Sequence, residues 1–307
     1  MRISFDLHAY HELERQRLAA DSDDVPIQWH LFVDNLVKDL SGQRVEAFTF
    51  CKTLLGRQTL FAWHPSSPIV WSALRQNLIY LSWGVPWESG LKQALLKMAL
   101  SRSANLLVNE AVTREELTTI LPQKDIFLMP FYIDPEWWSF SPHTNRESYL
   151  FCPGLNDRDP EVLIELARKG HLVIWLANKA SEQEYNDKFE NLRVVSGIPY
   201  LELRQYYQSC RAVILPLKED RHAAGQTTSM EAMACGAPIY ISSGRTSSIF
   251  AEQPSVEIIE DCEGEAIDFE NCGYDTVGES AKWIRESLIP RCVERLSVVI
   301  VESTAKY

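Results

Sequence analysis

The chain has 307 residues, of which 46% are hydrophobic, and its 42 acidic and 30 basic side chains give a formal net charge of −12. This length suffices for two domains with their own cores, whereas the negative charge argues against nucleic acid as the main partner. The sequence contains no apolar run of membrane-spanning length and no secretory leader, so we expect a cytoplasmic protein without a transmembrane segment.

Short apolar runs alternate with helical stretches over residues 1–140. This alternation predicts an N-terminal Rossmann-like domain with a parallel sheet covered by helices on both faces. Helices are expected at Trp29–Leu40 and Gly90–Ala104. The expected strands are Arg2–Leu7, Val45–Cys51, Thr59–Trp63, Asn77–Ser82, Asn105–Asn109 and Asp125–Met129.

A segment rich in Pro, Ser and Trp, Pro130–Ser148, is typical of an interdomain linker. A second alternation follows and predicts another Rossmann-like domain over residues 145–285. Its helices are expected at Pro160–Lys169, Leu201–Ser209, Thr228–Cys235 and Gly278–Leu288. Its strands are expected at Tyr149–Cys152, His171–Leu176, Leu192–Ser196, Ala212–Leu215, Ile239–Ser242 and Val256–Ile259.

The most informative stretch is AGQTTSMEAMACGAPIYIS, residues 224–242. A glycine and threonine loop leads into a helix, and a helix N-terminus attracts phosphate through its free amides and its dipole. Gly225 allows a ligand to approach the backbone, while Thr227 and Thr228 can cap the helix or donate hydroxyls. Glu231, expected in the first helical turn, can accept hydrogen bonds from a ribose diol. The stretch therefore predicts a cradle for a nucleotide diphosphate.

The EAMACGxP core at Glu231–Pro238 resembles the donor-binding motif of the retaining glycosyltransferase family 4. The spacing of Gly225, Thr228 and Glu231 is similar to that of the inverting enzymes that make the peptidoglycan lipid precursor. The resemblance implies an α/β protein of the GT-B fold, in which two Rossmann-like domains face each other with their parallel sheets across a cleft. It also implies that the tail, residues 286–307, crosses back to the first domain, which would bind the acceptor.

The same resemblance implies site roles. Gly225, Gln226, Thr227 and Thr228 would hold the donor diphosphate, and Glu231 would hold the ribose. A UDP-sugar is the commonest donor in the family, and neither a cofactor nor a metal ion is expected. One position departs from the family pattern: family 4 has a second Glu eight residues before Glu231, where this chain has Ala223.

Two further residues are candidates for donor binding. Arg158 lies in a pattern similar to the Lys-x-x-Asp-x-Leu-Ile of family 4, and its guanidinium suits a diphosphate. The alternative is a surface arginine paired with Asp157 or Asp159. Tyr200, after Gly197-Ile198-Pro199, stands where family members contact the base, and it could stack on that base or simply pack at the start of a helix.

The catalytic residue is less well marked. An inverting transfer needs a general base, and in related families an Asp or His follows the strand that corresponds to Asn77–Ser82. Here that loop offers only Glu88. His64, after the strand Thr59–Trp63, and His222, beside the donor loop, are the other candidates, although a histidine can equally be a hydrogen-bonded structural residue.

The sequence thus favours a glycosyltransferase that moves a sugar from a nucleotide-diphosphate sugar to an acceptor hydroxyl. The acceptor could be a glycan, a lipid-linked sugar, a small molecule, a protein or a modified base. Two alternatives stay open: a non-catalytic GT-B protein that binds nucleotide-sugars, and a sugar-nucleotide epimerase on the same fold. Hydrolysis of the donor without acceptor would separate the two enzymes from the binding protein.

Overall fold

The computed structural model divides the chain into two compact units. The first comprises residues 1–23, 27–132 and 290–307, and the second comprises residues 24–26 and 133–289. Within them, the structure describes residues 3–5, 25–27, 32, 36, 46–47, 59–62, 78–82, 91–103, 105–141, 146–154, 157–186, 188–218, 224–260, 269 and 274–305.

Six parallel strands form the sheet of the first unit, in the order β2-β1-β3-β4-β5-β6. Each strand lies inside the run that the sequence predicts for it. Helix α1 (Leu91–Arg102) was predicted, whereas α2 (Ala111–Ile120) was not. The strands are β1 (Ile3–Phe5), β2 (Glu46–Ala47), β3 (Thr59–Ala62), β4 (Leu78–Ser82), β5 (Asn105–Val108) and β6 (Ile126–Leu128). The helix expected at Trp29–Leu40 lies mostly outside the described residues.

The second unit contains another six-stranded parallel sheet, in the order β12-β11-β10-β7-β8-β9. Its strands are β7 (Leu150–Pro153), β8 (Val173–Leu176), β9 (Leu192–Val195), β10 (Ala212–Leu215), β11 (Ile239–Ser242) and β12 (Val256–Ile259). Its helices are α3 (Pro160–Arg168), α4 (Lys179–Tyr185), α5 (Tyr200–Ser209), α6 (Gln226–Ala234), α7 (Arg245–Phe250) and α8 (Val277–Trp283). The sequence predicted all of these except α4 and α7.

A π-helical turn, Ile284–Leu288, follows α8 and leads into the last helix, α9 (Ile289–Ala305). Helix α9 buries Cys292, Leu296 and Val299, whose spacing places them on one face. The Cys292 thiol donates to the carbonyl of Pro130 at 3.2 Å. The tail therefore contributes to the core of the first unit. No helix in the described part of the chain combines the length and the apolar character that crossing a bilayer would require.

Strand β7 lies at the centre of the second sheet, between β8 and β10. The chain proceeds from β7 to β8 on one side and later returns to β10 on the other side. Every residue of β7 and β10 is buried, as expected of parallel strands covered on both faces. The loops after these two strands diverge at a topological switch point, and ligands of open α/β sheets bind in the crevice beyond the carboxyl ends there.

Candidate functional site

The loops that follow β7 and β10 are joined through their backbones at the switch point. Arg158 and Leu217 form an isolated antiparallel bridge, and the amide of Asp159 donates to the carbonyl of Pro216 at 2.7 Å. The first loop carries Arg158, and the second loop continues to the start of α6. The fold therefore brings together the two segments that the sequence singled out for donor binding.

The Arg158 side chain lies between two glycine turns and is only 6% exposed. Its Nε and Nη2 atoms donate to the carbonyl of Pro153 at 3.1 and 2.8 Å. Gly154 and Gly225 both have positive φ, +93° and +83°. A Cβ added at Gly154 would lie 3.2 Å from Nη2, and one added at Gly225 would lie 3.6 Å from both terminal nitrogens. Gly154 thus leaves room for the guanidinium, whereas a Cβ at Gly225 would only be in ordinary contact with it.

Asp159 has partners other than Arg158. Its Oδ1 atom accepts from the amide of Glu161 at 3.0 Å and so caps α3, and it lies 3.2 Å from Nζ of Lys218. Arg158 is buried, so the alternative of an arginine at the surface is wrong. Its charge lies within the second unit, beneath the N-terminus of α6.

Helix α6 begins at Gln226, and Gly225 is its N-cap in the left-handed conformation. Glycine has no side chain that could accept from the first-turn amides, which have no carbonyl partner within the helix. Thr227 is exposed and Thr228 is partly exposed, so both hydroxyls can reach a ligand, whereas the Gln226 side chain is buried and only its amide suits that role. The start of α6 combines amides, hydroxyls and a helix dipole, which suit an anion.

The predicted position of Glu231 in the first turn is wrong. The first turn contains no acidic residue, because the helix begins two residues before the predicted start at Thr228 and Glu231 falls in the second turn. Its Oε2 atom accepts from the hydroxyl of Tyr207 at 3.0 Å. Burial raises the pKa of Glu231 to about 8, and the hydrogen bond from Tyr207 acts in the opposite direction.

Tyr207 lies on α5 and is 1% exposed. Burial raises its pKa well above the ordinary value, and the neighbouring Glu231 raises it further. The ring packs edge-on against Trp138 and Phe151, with centroids 5.6 and 5.4 Å away. Tyr207 is therefore a neutral donor fixed in place by aromatic packing, and sequence reasoning missed it.

Tyr200 lies at the start of the same helix and is 40% exposed. It contacts Trp137 and Trp138 edge-on, with both centroid distances 6.5 Å. Arg204, one turn later, lies over Trp137 at 4.4 Å and donates to its carbonyl. Tyr200 thus packs at the helix start and also has an open surface, so both sequence alternatives describe part of its environment.

Two distant side chains hold the glycine turns, and sequence reasoning missed them too. Nε1 of Trp175, on β8, donates to the carbonyl of Gly154 at 3.0 Å. Oγ1 of Thr246, on α7, donates to the carbonyl of Ala224 at 2.6 Å. Neither residue belongs to a local motif, so only the tertiary structure identifies them.

The candidate catalytic residues Glu88, His64 and His222 lie outside the described residues, as does Ala223. Their roles stay predictions. Within the described ranges, His, Cys, Asp and Glu form no group of three or more that could hold a metal ion. Independence of a metal ion also stays a prediction.

Solved structures share this architecture at low sequence identity. HepE from Anabaena in complex with UDP aligns over 100% of both chains, with 13% identity and a TM-score of 0.63; its complex with UDP-glucose gives 0.61. Sucrose-phosphate synthase from Thermosynechococcus elongatus has 14% identity and a TM-score of 0.54, over 100% of this chain and 97% of that one.

The glycosyltransferase AviGT4, involved in avilamycin A biosynthesis, has 10% identity and a TM-score of 0.51, over 100% of this chain and 98% of that one. No protein-family model and no curated protein sequence matches this chain. The shared architecture and the two parallel sheets confirm the predicted fold class: the chain is an α/β protein with the GT-B fold.

Proposed function

We propose that this protein is a glycosyltransferase that uses a nucleotide-diphosphate sugar, with a UDP-sugar as the donor. The observation that carries the proposal is the buried Arg158 guanidinium beneath the uncapped N-terminus of α6, at the switch point of the second sheet. The relatives in fold support the choice of donor, because HepE was solved with UDP and with UDP-glucose.

The diphosphate would lie at the start of α6. The amides that follow Gly225, including that of Gln226, and the hydroxyls of Thr227 and Thr228 would donate to its oxygens. As the bond between the sugar and the diphosphate breaks, negative charge develops on the leaving phosphate. The helix dipole and the Arg158 charge are fixed beforehand, so they stabilise that charge without reorganisation. In this proposal they do so without a metal ion.

The nucleoside would lie along α5 and the second turn of α6. Glu231 would accept hydrogen bonds from the two ribose hydroxyls, and the exposed face of Tyr200 would stack on the base. The Tyr207 hydroxyl already occupies one position on the Glu231 carboxylate, which leaves the other acceptor positions for a diol.

The sugar would pass to a hydroxyl of an acceptor whose class the structure does not identify. Glu88, His64 and His222 remain the candidates for the base that removes the acceptor proton. We further propose a cytoplasmic location for the reaction.

A second candidate function is binding of a nucleotide-sugar without catalysis. The observation that favours it is Ala223, at the position where family 4 has a sugar-contacting Glu. This candidate predicts the same nucleotide site as the first, but no turnover.

Thermal unfolding with a panel of UDP, GDP, ADP and dTDP, and of their common sugars, tests both candidates. A ligand at 100 times its Kd stabilises the folded state by about 2.7 kcal/mol, which is roughly 5–10 °C in Tm for a domain of this size. Glu231→Ala should abolish the shift, and alanine at the exposed Glu252 is the matched control. A panel without any shift would reject both candidates. Binding without donor hydrolysis or transfer would favour the binding protein.

A further inference from the structure

The contact between α5 and α6 suggests a role for a residue that no motif identified. We propose that Tyr207 is a positioning residue that orients the Glu231 carboxylate for the ribose diol and thereby sets the preference for ribonucleotides. This inference rests on the proposed function, since it assumes that Glu231 binds ribose.

In the described part of the chain, the Tyr207 hydroxyl forms a hydrogen bond with the Glu231 carboxyl. It donates to Oε2 of Glu231 at 3.0 Å, in the range of a good hydrogen bond. The buried ring packs edge-on against both Trp138 and Phe151, and this packing restricts the movement by which the hydroxyl could follow a carboxylate that turns away. With Oε2 fixed in this way, Glu231 presents its remaining lone pairs in one orientation.

The segment that carries Trp138 is itself tied to α5. Nη1 of Arg204 donates to the carbonyl of Trp137 at 2.9 Å, and Nε2 of Gln208 donates to the carbonyl of Ser139 at 2.8 Å. Three consecutive residues of this segment are therefore fixed to the helix that bears Tyr207. Such packing around a polar side chain is what preorganisation of a binding group requires.

Ionisation of Glu231 matters because only the carboxylate accepts from both hydroxyls of a diol at full strength. Burial favours the neutral acid, and the Tyr207 hydroxyl favours the charged form. Loss of the hydroxyl should therefore raise the pKa of Glu231 further. The preference for a ribose over a deoxyribose should then develop only at a higher pH.

The groups around Glu231 are few in the described structure. Cys235, at the end of α6, interacts with its charge, and the charge of Arg158 acts on Tyr207. Tyr240 of β11 packs against Phe269. Helix α8 and the π-helical turn also pack against α6. Their charged side chains are exposed to solvent: Glu279, Lys282, Arg285 and Glu286.

The test compares the Kd values of UDP and 2′-deoxy-UDP between pH 6 and 9, for the wild type and for Tyr207→Phe. Both nucleotides carry the same diphosphate, so its own titration cancels in the ratio of the two Kd values. The wild type should prefer UDP by about tenfold above pH 8, the effect of one hydrogen bond to a charged group, and by less at pH 6. Tyr207→Phe should reduce that preference about three- to tenfold. It should also move the midpoint of the rise in preference with pH to a higher pH.

Tyr206→Phe is the matched control, because Tyr206 lies on the same helix, stacks on Phe151 at 5.1 Å and bonds to Glu202. It should leave both the preference and the midpoint unchanged. Glu231→Gln provides a second background, which keeps an oxygen for Tyr207 but cannot ionise. If the pH dependence arises from Glu231, adding Tyr207→Phe to Glu231→Gln should leave the ratio of the two Kd values independent of pH.

The outcomes separate the inference from the proposed function. Equal losses for UDP and 2′-deoxy-UDP in Tyr207→Phe, with an unchanged midpoint, would reduce Tyr207 to a structural residue and overturn the inference alone. An unchanged preference in Tyr207→Phe would overturn it as well. A wild type that binds neither nucleotide, nor any other of the panel, would overturn the proposed function and the inference together.

Discussion

Replacement of Glu231 by glutamine should change the pH dependence of stability even without a ligand. The pKa of this carboxyl rises from an ordinary 4.5 to about 8 on folding. The folded state therefore holds a proton that the unfolded chain has already released between these two values. By linkage, the contribution of Glu231 to stability is fully present below pH 4.5 and is lost as the pH rises through 8. Glutamine cannot titrate, so the variant should not share this loss.

The magnitude follows from the same two pKa values. Between pH 5 and pH 9, titration of this carboxyl should lower the free energy of unfolding of the wild type by about 4 kcal/mol. The glutamine variant should not show this decrease. Glu231 is partly exposed to solvent, and screening by solvent reduces this figure to roughly 2–4 kcal/mol. For a domain of this size, that difference corresponds to roughly 4–16 °C in Tm.

Urea unfolding at pH 5, 7 and 9 gives the free energies for the wild type and for Glu231→Gln, and only their difference is interpreted. Other groups titrate equally in both proteins and cancel. Glutamine at the exposed Glu252 is the control, and its difference from the wild type should stay constant with pH. If the Glu231→Gln difference is also constant from pH 5 to 9, the carboxyl is not desolvated and the reasoning fails.

Three further predictions concern the loops around the site. Gly236→Ala should cost about 3 kcal/mol or more in urea unfolding, because φ is +75° and the new Cβ would overlap the ring of Phe140; an unchanged free energy of unfolding would contradict that overlap. Gly225→Ala, at φ +83° but with ordinary contact distances, should cost only about 1–2 kcal/mol while it weakens nucleotide binding in a thermal-shift titration. Thr246→Val removes the donor to the Ala224 carbonyl and should cost about 1–3 kcal/mol in urea unfolding, and a neutral result would mean that this bond does not hold the loop.

The strands could be predicted from the sequence because buried parallel strands are short apolar runs between polar turns. Strands β10, β11 and β12 agree with their predicted bounds residue for residue. Helix α4 was missed because it has no buried residue and hence no apolar stripe; Asn178 starts it by accepting from the amide of Ser181. Propensity and periodicity carry little signal in so short and polar a helix.

The site could be predicted only as far as its residues are local. Gly225, Arg158 and Glu231 belong to recognisable stretches, and the fold brings the first two together. The start of α6 was misplaced because threonine is a common N-cap, whereas here a left-handed glycine holds that position. Tyr207 is 24 residues from its partner Glu231, a separation at which no pattern indicates a hydrogen bond.

Two ionisable groups at α6 are largely removed from solvent, and both are proposed to bind the ligand. The Arg158 guanidinium is nearly enclosed and donates to the carbonyl of Pro153. Burial raises the pKa of the Glu231 carboxyl to about 8, which favours its neutral form near pH 7. In the proposed function, a diphosphate at the helix start would be a further partner for Arg158, and a ribose diol would stabilise the charged form of Glu231. A buried guanidinium beside the start of α6 and a largely enclosed carboxyl on α6 are more simply explained by selection for binding than by selection for stability, since apolar residues could fill both positions.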